Sequence, residues 1–144
     1  MNTENKQDFL KQVFFKEVEV IQDIIRRMAH NSFMVKGWTI TLVAVTLLLK
    51  GSKFQVFVAF LPLIVFWFLD AYFLWQERLY RKLYNWVIEN RLTSDEFLLD
   101  MNAYRFKDSV QSKLRIMFSI TLGWFYGSIA ILTGAYAAFL LTIN

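Results

Sequence analysis

The chain contains no cysteine and a single histidine, His30. The absence of cysteine excludes a disulfide framework, a cysteine-ligated zinc site and a thiol nucleophile. One histidine excludes a histidine-pair metal site and a histidine-based proton relay. One proline and five glycines exclude collagen-like and low-complexity chains. No P-loop, dinucleotide fingerprint or Ser/His/Asp set is present, so the sequence predicts a protein that is not an enzyme and needs no metal or cofactor.

Charged residues are also scarce, at 19% of the 144 residues, whereas 56% are hydrophobic. An ordinary soluble domain is about 45–50% apolar and about 25% charged, so this composition favours a membrane protein. Crossing a bilayer takes about 20 apolar residues. Three runs meet this requirement, and the predicted spans are residues 32–49, 54–75 and 116–143. A soluble all-α protein with unusually apolar helices is the alternative.

The segments outside these spans also carry helical patterns. Residues 1–31 place apolar side chains three and four positions apart, which predicts an amphipathic helix. Three interpretations of that helix are open: it packs on the rest of a cytoplasmic layer, it contacts another copy of the chain, or it lies in the membrane interface. No proline or glycine separates it from the first span, so one continuous helix is expected. The sequence thus predicts an all-α integral membrane protein in which residues 1–31 and 76–115 form a helical cytoplasmic layer.

Three further features concern the second span and the residues after it. The helical pattern of the second span continues to Asn90, and Pro62 inside it predicts a kink. Thr93–Glu96 fits a capping box and predicts a short helix through Met101. Another helix is predicted to start near Lys107 and to run straight into the third span.

Basic residues predict the orientation in the membrane. Thirteen lie in residues 1–31 and 76–115, two lie in the four-residue loop between the first two spans, and none follows the third span. Because positive charge is enriched on the cytoplasmic side, the N-terminus is predicted in the cytoplasm of a bacterium and the C-terminus on the periplasmic side of its inner membrane. The bases are scattered and nearly matched by acids, which disfavours nucleic acid as a partner.

Lys36 and Asp70 are the charged residues inside the predicted spans. Lys36 lies four residues into the first span and Asp70 five residues before the end of the second, so both fall about 6–8 Å inside the same boundary. Unpaired charges in a membrane are costly. We expect a salt bridge between them, or Lys36 extending to the interface, or a water-filled path lined by both. Four further polar side chains of the hairpin are the predicted pore-lining residues: Thr39, Thr41, Thr46 and Gln55.

Small residues predict a packing face on the third span. Gly123, Gly127 and Gly134 lie largely on one side of the helix, and such a strip lets helix backbones approach closely. Packing against the hairpin of the same chain and contact with another copy are both consistent with this pattern. Three spans are few for a path inside one chain, so a conducting species requires several copies around an axis.

Several short motifs accompany this organisation: Asn31-Ser32-Phe33, Lys36-Gly37-Trp38, the segment Phe66–Tyr72 and the segment Glu77–Arg81. Together with a long charged helix, a tight two-span hairpin and a helical cytoplasmic part, residues 8–90 resemble the SLATT-type membrane effectors of bacterial conflict systems. The resemblance implies a homo-oligomer that opens a pore when a sensor is triggered, in antiviral defence. The third span departs from the two-span type.

The predicted function is therefore an oligomeric inner-membrane pore-forming or membrane-perturbing effector. Its expected partners are membrane lipid, other copies of itself and a cytoplasmic protein or activating signal. The alternative is a non-conducting membrane scaffold that recruits a soluble partner through its cytoplasmic helices.

Overall fold

The computed structural model of the chain describes residues 3–49 and 55–143. Within these ranges the chain is helical and contains no strand, which confirms the predicted all-α class. The helices in order are α1 (Thr3–Leu48), α2 (Gln55–Val58), α3 (Phe60–Asn90), a 3-10 helix (Ala103–Ser109), α4 (Lys113–Met117) and α5 (Ile120–Ile143).

Three helical segments are long and apolar enough to cross a membrane: Glu4–Leu48, Val56–Asn90 and Ile120–Thr142. The length and composition of these helices confirm the prediction of three candidate membrane-spanning segments. Phe54, the first residue of the predicted second span, and the loop bases Lys50 and Lys53 lie outside the described residues.

The long helices follow the hydrophobic periodicity. α1 is continuous over 46 residues, as the lack of a helix breaker between the amphipathic segment and the first span predicts. α3 ends at Asn90, where the helical pattern of the sequence ends.

Pro62 lies in the first turn of α3, next to an interruption at Ala59. A proline ring has no amide hydrogen and clashes with the carbonyl group four residues earlier, which here belongs to Val58. α2 ends at Val58, so the predicted kink takes the form of a break between two helices.

The short helix predicted through Met101 is wrong, because residues 91–102 form turns and irregular segments. The carbonyl groups of Ser94, Glu96 and Phe97 accept hydrogen bonds from the buried guanidinium group of Arg91. Carbonyl groups that point towards one side chain cannot form the regular ladder of a helix.

The straight helix predicted from Lys107 into the third span is also wrong. The 3-10 helix ends at Ser109, and the Ser112 hydroxyl then accepts a hydrogen bond from the Arg115 amide as the N-cap of α4. A second interruption follows α4, and the Trp67 indole donates a 2.8 Å hydrogen bond to the Met117 carbonyl there. That bond satisfies a carbonyl group at the helix end, where intrahelical partners are missing.

The chain divides into two compact units. The first contains the residues up to Ala29 together with Trp75–Gln111. Its buried apolar side chains are spaced three, four or eight residues apart along α1 and α3, as expected for facing helical stripes. They are Leu10, Val13 and Ile21 of α1, Leu79, Leu83 and Val87 of α3, and Ala103 of the 3-10 helix.

The second unit contains His30–Leu74 together with the residues from Ser112 onward. Its core combines side chains from α1, α3 and α5. Among the buried residues are Val35, Val43, Leu63, Ala71, Leu122, Tyr126 and Ala137. The Trp67 and Tyr126 rings are stacked with their centroids 5.6 Å apart.

Candidate functional site

Asp70 is the centre of a polar cluster in the second unit, formed by Ser32, Lys36, Asp70 and Tyr126 and called here the Asp70 cluster. Lys36 Nζ lies 2.6 Å from Asp70 Oδ2. The Tyr126 hydroxyl donates a 3.0 Å hydrogen bond to the same oxygen, and the Ser32 hydroxyl donates to Oδ1. Asp70 is fully buried, so the structure brings the two charged residues of the predicted spans together in a satisfied ion pair.

Helical spacing places the donors of this cluster. Ser32 and Lys36 lie one turn apart on α1, and Lys36 Nζ donates a 2.9 Å hydrogen bond to Ser32 Oγ. The Lys36 side chain is 24% exposed whereas Asp70 is 0% exposed, so only the lysine reaches the surroundings. A carboxylate of α3 that accepts hydrogen bonds from side chains of α1 and α5 holds these three helices together.

The predicted pore-lining residues do not share one surface. Thr39 is buried and Thr41 is exposed, because positions two apart lie on opposite sides of a helix. The hydroxyls of Thr39, Thr41 and Thr46 each donate to the carbonyl group four residues earlier in α1, at 2.8, 3.0 and 2.7 Å. Gln55 is the first residue of α2, and its side chain lies outside the described part of the structure.

The glycines of α5 border open space. A Cβ atom built on Gly123, Gly127 or Gly134 meets no described atom within 4 Å. A groove of about 330 Å³ passes over Gly123 and Gly127, and the exposed side chains of Trp124 and Ile131 border it. Gly123 and Gly127 with this groove are called the glycine face. Close approach of another helix within the described chain does not account for glycine at these positions.

A second buried ion pair lies in the first unit, and the sequence analysis did not anticipate it. The Arg91 guanidinium is 0% exposed and contacts the Glu17 carboxylate through two hydrogen bonds, Nε to Oε2 at 2.6 Å and Nη2 to Oε1 at 3.0 Å. Its remaining N–H groups donate to the carbonyl groups of Ser94, Glu96 and Phe97 at 2.7–3.0 Å. All the donors of this guanidinium are therefore directed at acceptors.

A signal for this pair is present in the sequence. Glu17 follows Val13 and precedes Ile21 by four residues each, which places a carboxylate on the buried stripe of α1. Arg91 follows Val87 by four residues and so extends the buried stripe of α3. A charge on an apolar stripe requires a partner of opposite charge, and each of these two residues meets that need for the other.

The turn next to Arg91 contains two residues in the left-handed backbone region. Phe97 has a φ of 53° and Leu99 a φ of 55°, which non-glycine residues rarely adopt. The Leu99 amide donates a 2.7 Å hydrogen bond to Glu17 Oε1, and the Phe97 carbonyl accepts from Arg91. The buried ion pair thus holds this turn, and both side chains remain about half exposed.

Arg105 occupies an aromatic environment in the same unit. Its guanidinium carbon lies 4.5 Å from the ring centroids of Trp86 and Phe97 and 5.1 Å from that of Phe106. Its nitrogen atoms have no hydrogen-bond partner among the described residues, and the nearest carboxylate, Asp100, is 3.7 Å away. Burial lowers the pKa of Arg105 from its ordinary value, and the Asp100 carboxylate acts in the opposite direction.

Fold and side chains together define a helical protein with three candidate transmembrane helices and a buried ion pair in each unit. In the part of the chain that the structure describes, no three His, Asp or Glu side chains are grouped so as to hold a metal ion. Comparison of the chain with protein-family models, curated proteins and solved structures finds no match.

Proposed function

We propose that the protein is a multi-pass inner-membrane homo-oligomer that acts as a pore-forming or membrane-perturbing effector. The observation that supports self-association is the glycine face of α5. In membranes, glycines four residues apart allow two helices to pack backbone against backbone. No described part of the same chain fills that space, so a second copy is the proposed occupant.

Exposure of the apolar segments supports a membrane location. In the most apolar windows of the three candidate spans, only 22%, 28% and 17% of the residues are buried within the protein. A water-soluble protein rarely exposes contiguous apolar surface of this length. Lipid and neighbouring copies of the chain are suitable contacts for the exposed apolar faces of the three segments.

The polar side chains of the spans support a path between copies rather than inside one chain. Asp70 is enclosed by its three donors, and the three threonine hydroxyls bond to their own helix. The Lys36 side chain, at 24% exposure, is the charged group of the Asp70 cluster that reaches the surroundings. Ion conduction therefore requires an axis formed by several copies.

The role in antiviral defence and the triggering signal are proposed from the resemblance of residues 8–90 to SLATT-type effectors. The orientation follows the distribution of basic residues, with the first unit in the cytoplasm. The signal then acts on the first unit.

Membrane potential measurements test this function. Expression of the wild-type chain in bacteria, with its genomic neighbours supplying the trigger, is expected to depolarise the inner membrane, as reported by a potential-sensitive dye. Gly127→Leu is expected to reduce the effect because it fills the glycine face. Leu132→Trp adds bulk at an exposed position of α5 outside the glycine face and serves as the control. An unchanged potential, with a monomeric protein in mild detergent, would contradict the proposal.

A non-conducting scaffold is the second candidate, and the turn beside Arg91 favours it. Phe97 and Leu99 are 54% and 53% exposed although the backbone beneath them is held by buried hydrogen bonds. Rigid exposed apolar side chains suit the recognition of a soluble partner. In this case, Phe97→Ser with Leu99→Ser abolishes recruitment of that partner to the membrane, and wild-type expression leaves the membrane potential unchanged.

A further inference from the structure

Two adjoining grooves on the first unit are lined mainly by cations and neutral hydrogen-bonding groups. One has a volume of about 260 Å³ and lies between α3 and the segment after the 3-10 helix. It is called the basic groove and is lined by Arg78, Arg81, Lys82, Asn85, Ser109 and Gln111. The other, of about 580 Å³, shares Arg81 and Asn85 with it and adds Arg26 of α1.

The cations of the basic groove are incompletely neutralised. Arg81 pairs with Glu77 at 2.7 Å, one helical turn away. Arg78 donates one hydrogen bond of 3.0 Å to Gln111, which leaves most of its donors unused. Lys82 forms no ion pair or hydrogen bond among the described residues. In the adjoining groove, Arg26 lies 3.7 Å from Asp23.

This set of groups matches a phosphate. Arginine presents a planar fork of N–H donors that suits phosphate oxygens, and lysine adds a mobile positive charge. The Asn85 amide and the Ser109 hydroxyl add neutral donors at the same groove. The groove offers more hydrogen-bond donors than a carboxylate ligand would use, so a phosphate suits it better.

The position of these residues in α3 indicates the source of the phosphate. Arg78, Arg81 and Lys82 follow Trp75, the last residue of the predicted second span, by three, six and seven residues in one continuous helix. At 1.5 Å per residue they lie about 4–11 Å beyond the end of the apolar segment. The headgroup layer extends roughly 5–8 Å beyond the hydrocarbon core, which the long side chains at these positions can reach, and basic pockets at the cytoplasmic ends of membrane helices suit anionic headgroups.

We propose that the basic groove binds the phosphate of an anionic phospholipid headgroup at the cytoplasmic membrane surface, through Arg78 and Lys82. This inference rests on the membrane location within the proposed function. It does not depend on pore formation.

Native mass spectrometry of the full-length protein in mild detergent, with added lipid, tests the proposal. Phosphatidylglycerol is expected to remain bound after phosphatidylcholine has dissociated. A basic residue near the membrane surface contributes about fivefold to binding of anionic lipid, so Arg78→Gln with Lys82→Gln is expected to weaken phosphatidylglycerol binding by roughly 25-fold. Lys11→Gln with Lys16→Gln removes the same charge from exposed sites on α1 and is expected to change binding less than about twofold.

Two outcomes would overturn the proposal. Equal retention of the two lipids, or an equal loss in the two double variants, would show that the groove does not recognise the headgroup. Displacement of phosphatidylglycerol by micromolar inorganic phosphate or glycerol 3-phosphate would show that a soluble phosphate is the ligand. Alkaline carbonate extraction of membranes reports insertion separately, so a failure of the membrane location is distinguished from a failure of lipid binding.

Discussion

At the scale of single residues, Arg91 and Arg105 show how differently two enclosed guanidinium groups are stabilised in one unit. Arg91 is directed at a carboxylate and three carbonyl groups. Arg105 contacts three aromatic rings and forms no hydrogen bond among the described residues. Hydrogen-bond geometry fixes the first side chain, whereas attraction to ring faces and the 3.7 Å ion pair with Asp100 hold the second.

Lysine substitutions separate these two modes. Arg91→Lys keeps the charge but loses the fork of donors, and it is expected to destabilise the first unit by about 3–5 kcal/mol because Glu17 and three carbonyl groups lose partners. Arg105→Lys is expected to cost only about 1 kcal/mol, since an ammonium group also interacts with aromatic rings. The rate of amide hydrogen exchange in the segment 94–100 measures the difference in destabilisation between the two variants. An equal acceleration of exchange in both variants would contradict the prediction.

The Asp70 cluster predicts an asymmetry between its two charges. Lys36→Met leaves a fully buried carboxylate without its cation, whereas Asp70→Asn leaves a lysine that is 24% exposed and can extend to the interface. We expect Lys36→Met to be the more destabilising, by up to about 3–5 kcal/mol. The double variant Lys36→Met/Asp70→Asn is expected to recover part of that loss.

Thermal unfolding in mild detergent, followed by tryptophan fluorescence, measures this series. The unfolding midpoints of the wild type, the two single variants and the double variant form a double-mutant cycle. Strictly additive shifts would show that the two side chains do not interact.

At the scale of the elements, the sequence predicts helices well and turns poorly. The continuity of α1 and the end of α3 at Asn90 follow from periodicity, because long amphipathic and apolar stripes leave few alternatives. The turn of residues 91–102 depends on Glu17, which is 74 residues from Arg91 in sequence. No local pattern encodes that contact. A capping-box motif at Thr93–Glu96 was therefore outweighed by a buried guanidinium group that needs carbonyl acceptors.

The glycine face of α5 predicts how the copies associate. Gly127→Leu adds a side chain where no described atom lies within 4 Å of a Cβ, so the fold of one chain is expected to be retained. If copies associate through the glycine face, the oligomer is expected to dissociate. Light scattering of the detergent-solubilised protein measures the mass of the complex. Leu132→Trp, about 140° around the helix axis from Gly127 and outside the groove, is expected to leave the mass unchanged. An intact Gly127→Leu oligomer would show that another surface mediates assembly.

At the scale of the whole molecule, the distribution of basic residues predicts the topology. A reporter inserted at Ser94 is expected to be active in the cytoplasm, and one fused after Asn144 in the periplasm. Paired phosphatase and fluorescent-protein fusions at both positions provide the measurement, each fusion controlling for the other. Reporters that read the same compartment would contradict a chain that crosses the membrane three times.

The separation between Glu17 and Arg91 has a consequence for biosynthesis. The two partners lie 74 residues apart, and the second membrane-spanning candidate is made between them. At roughly 5–20 residues per second, the ribosome delivers Arg91 about 4–15 s after Glu17. During this interval the carboxylate on the apolar stripe of α1 has no cation of its own chain to bury against. We therefore expect that slower synthesis lengthens the exposure of the nascent N-terminal helix to proteases and lowers the yield of the protein.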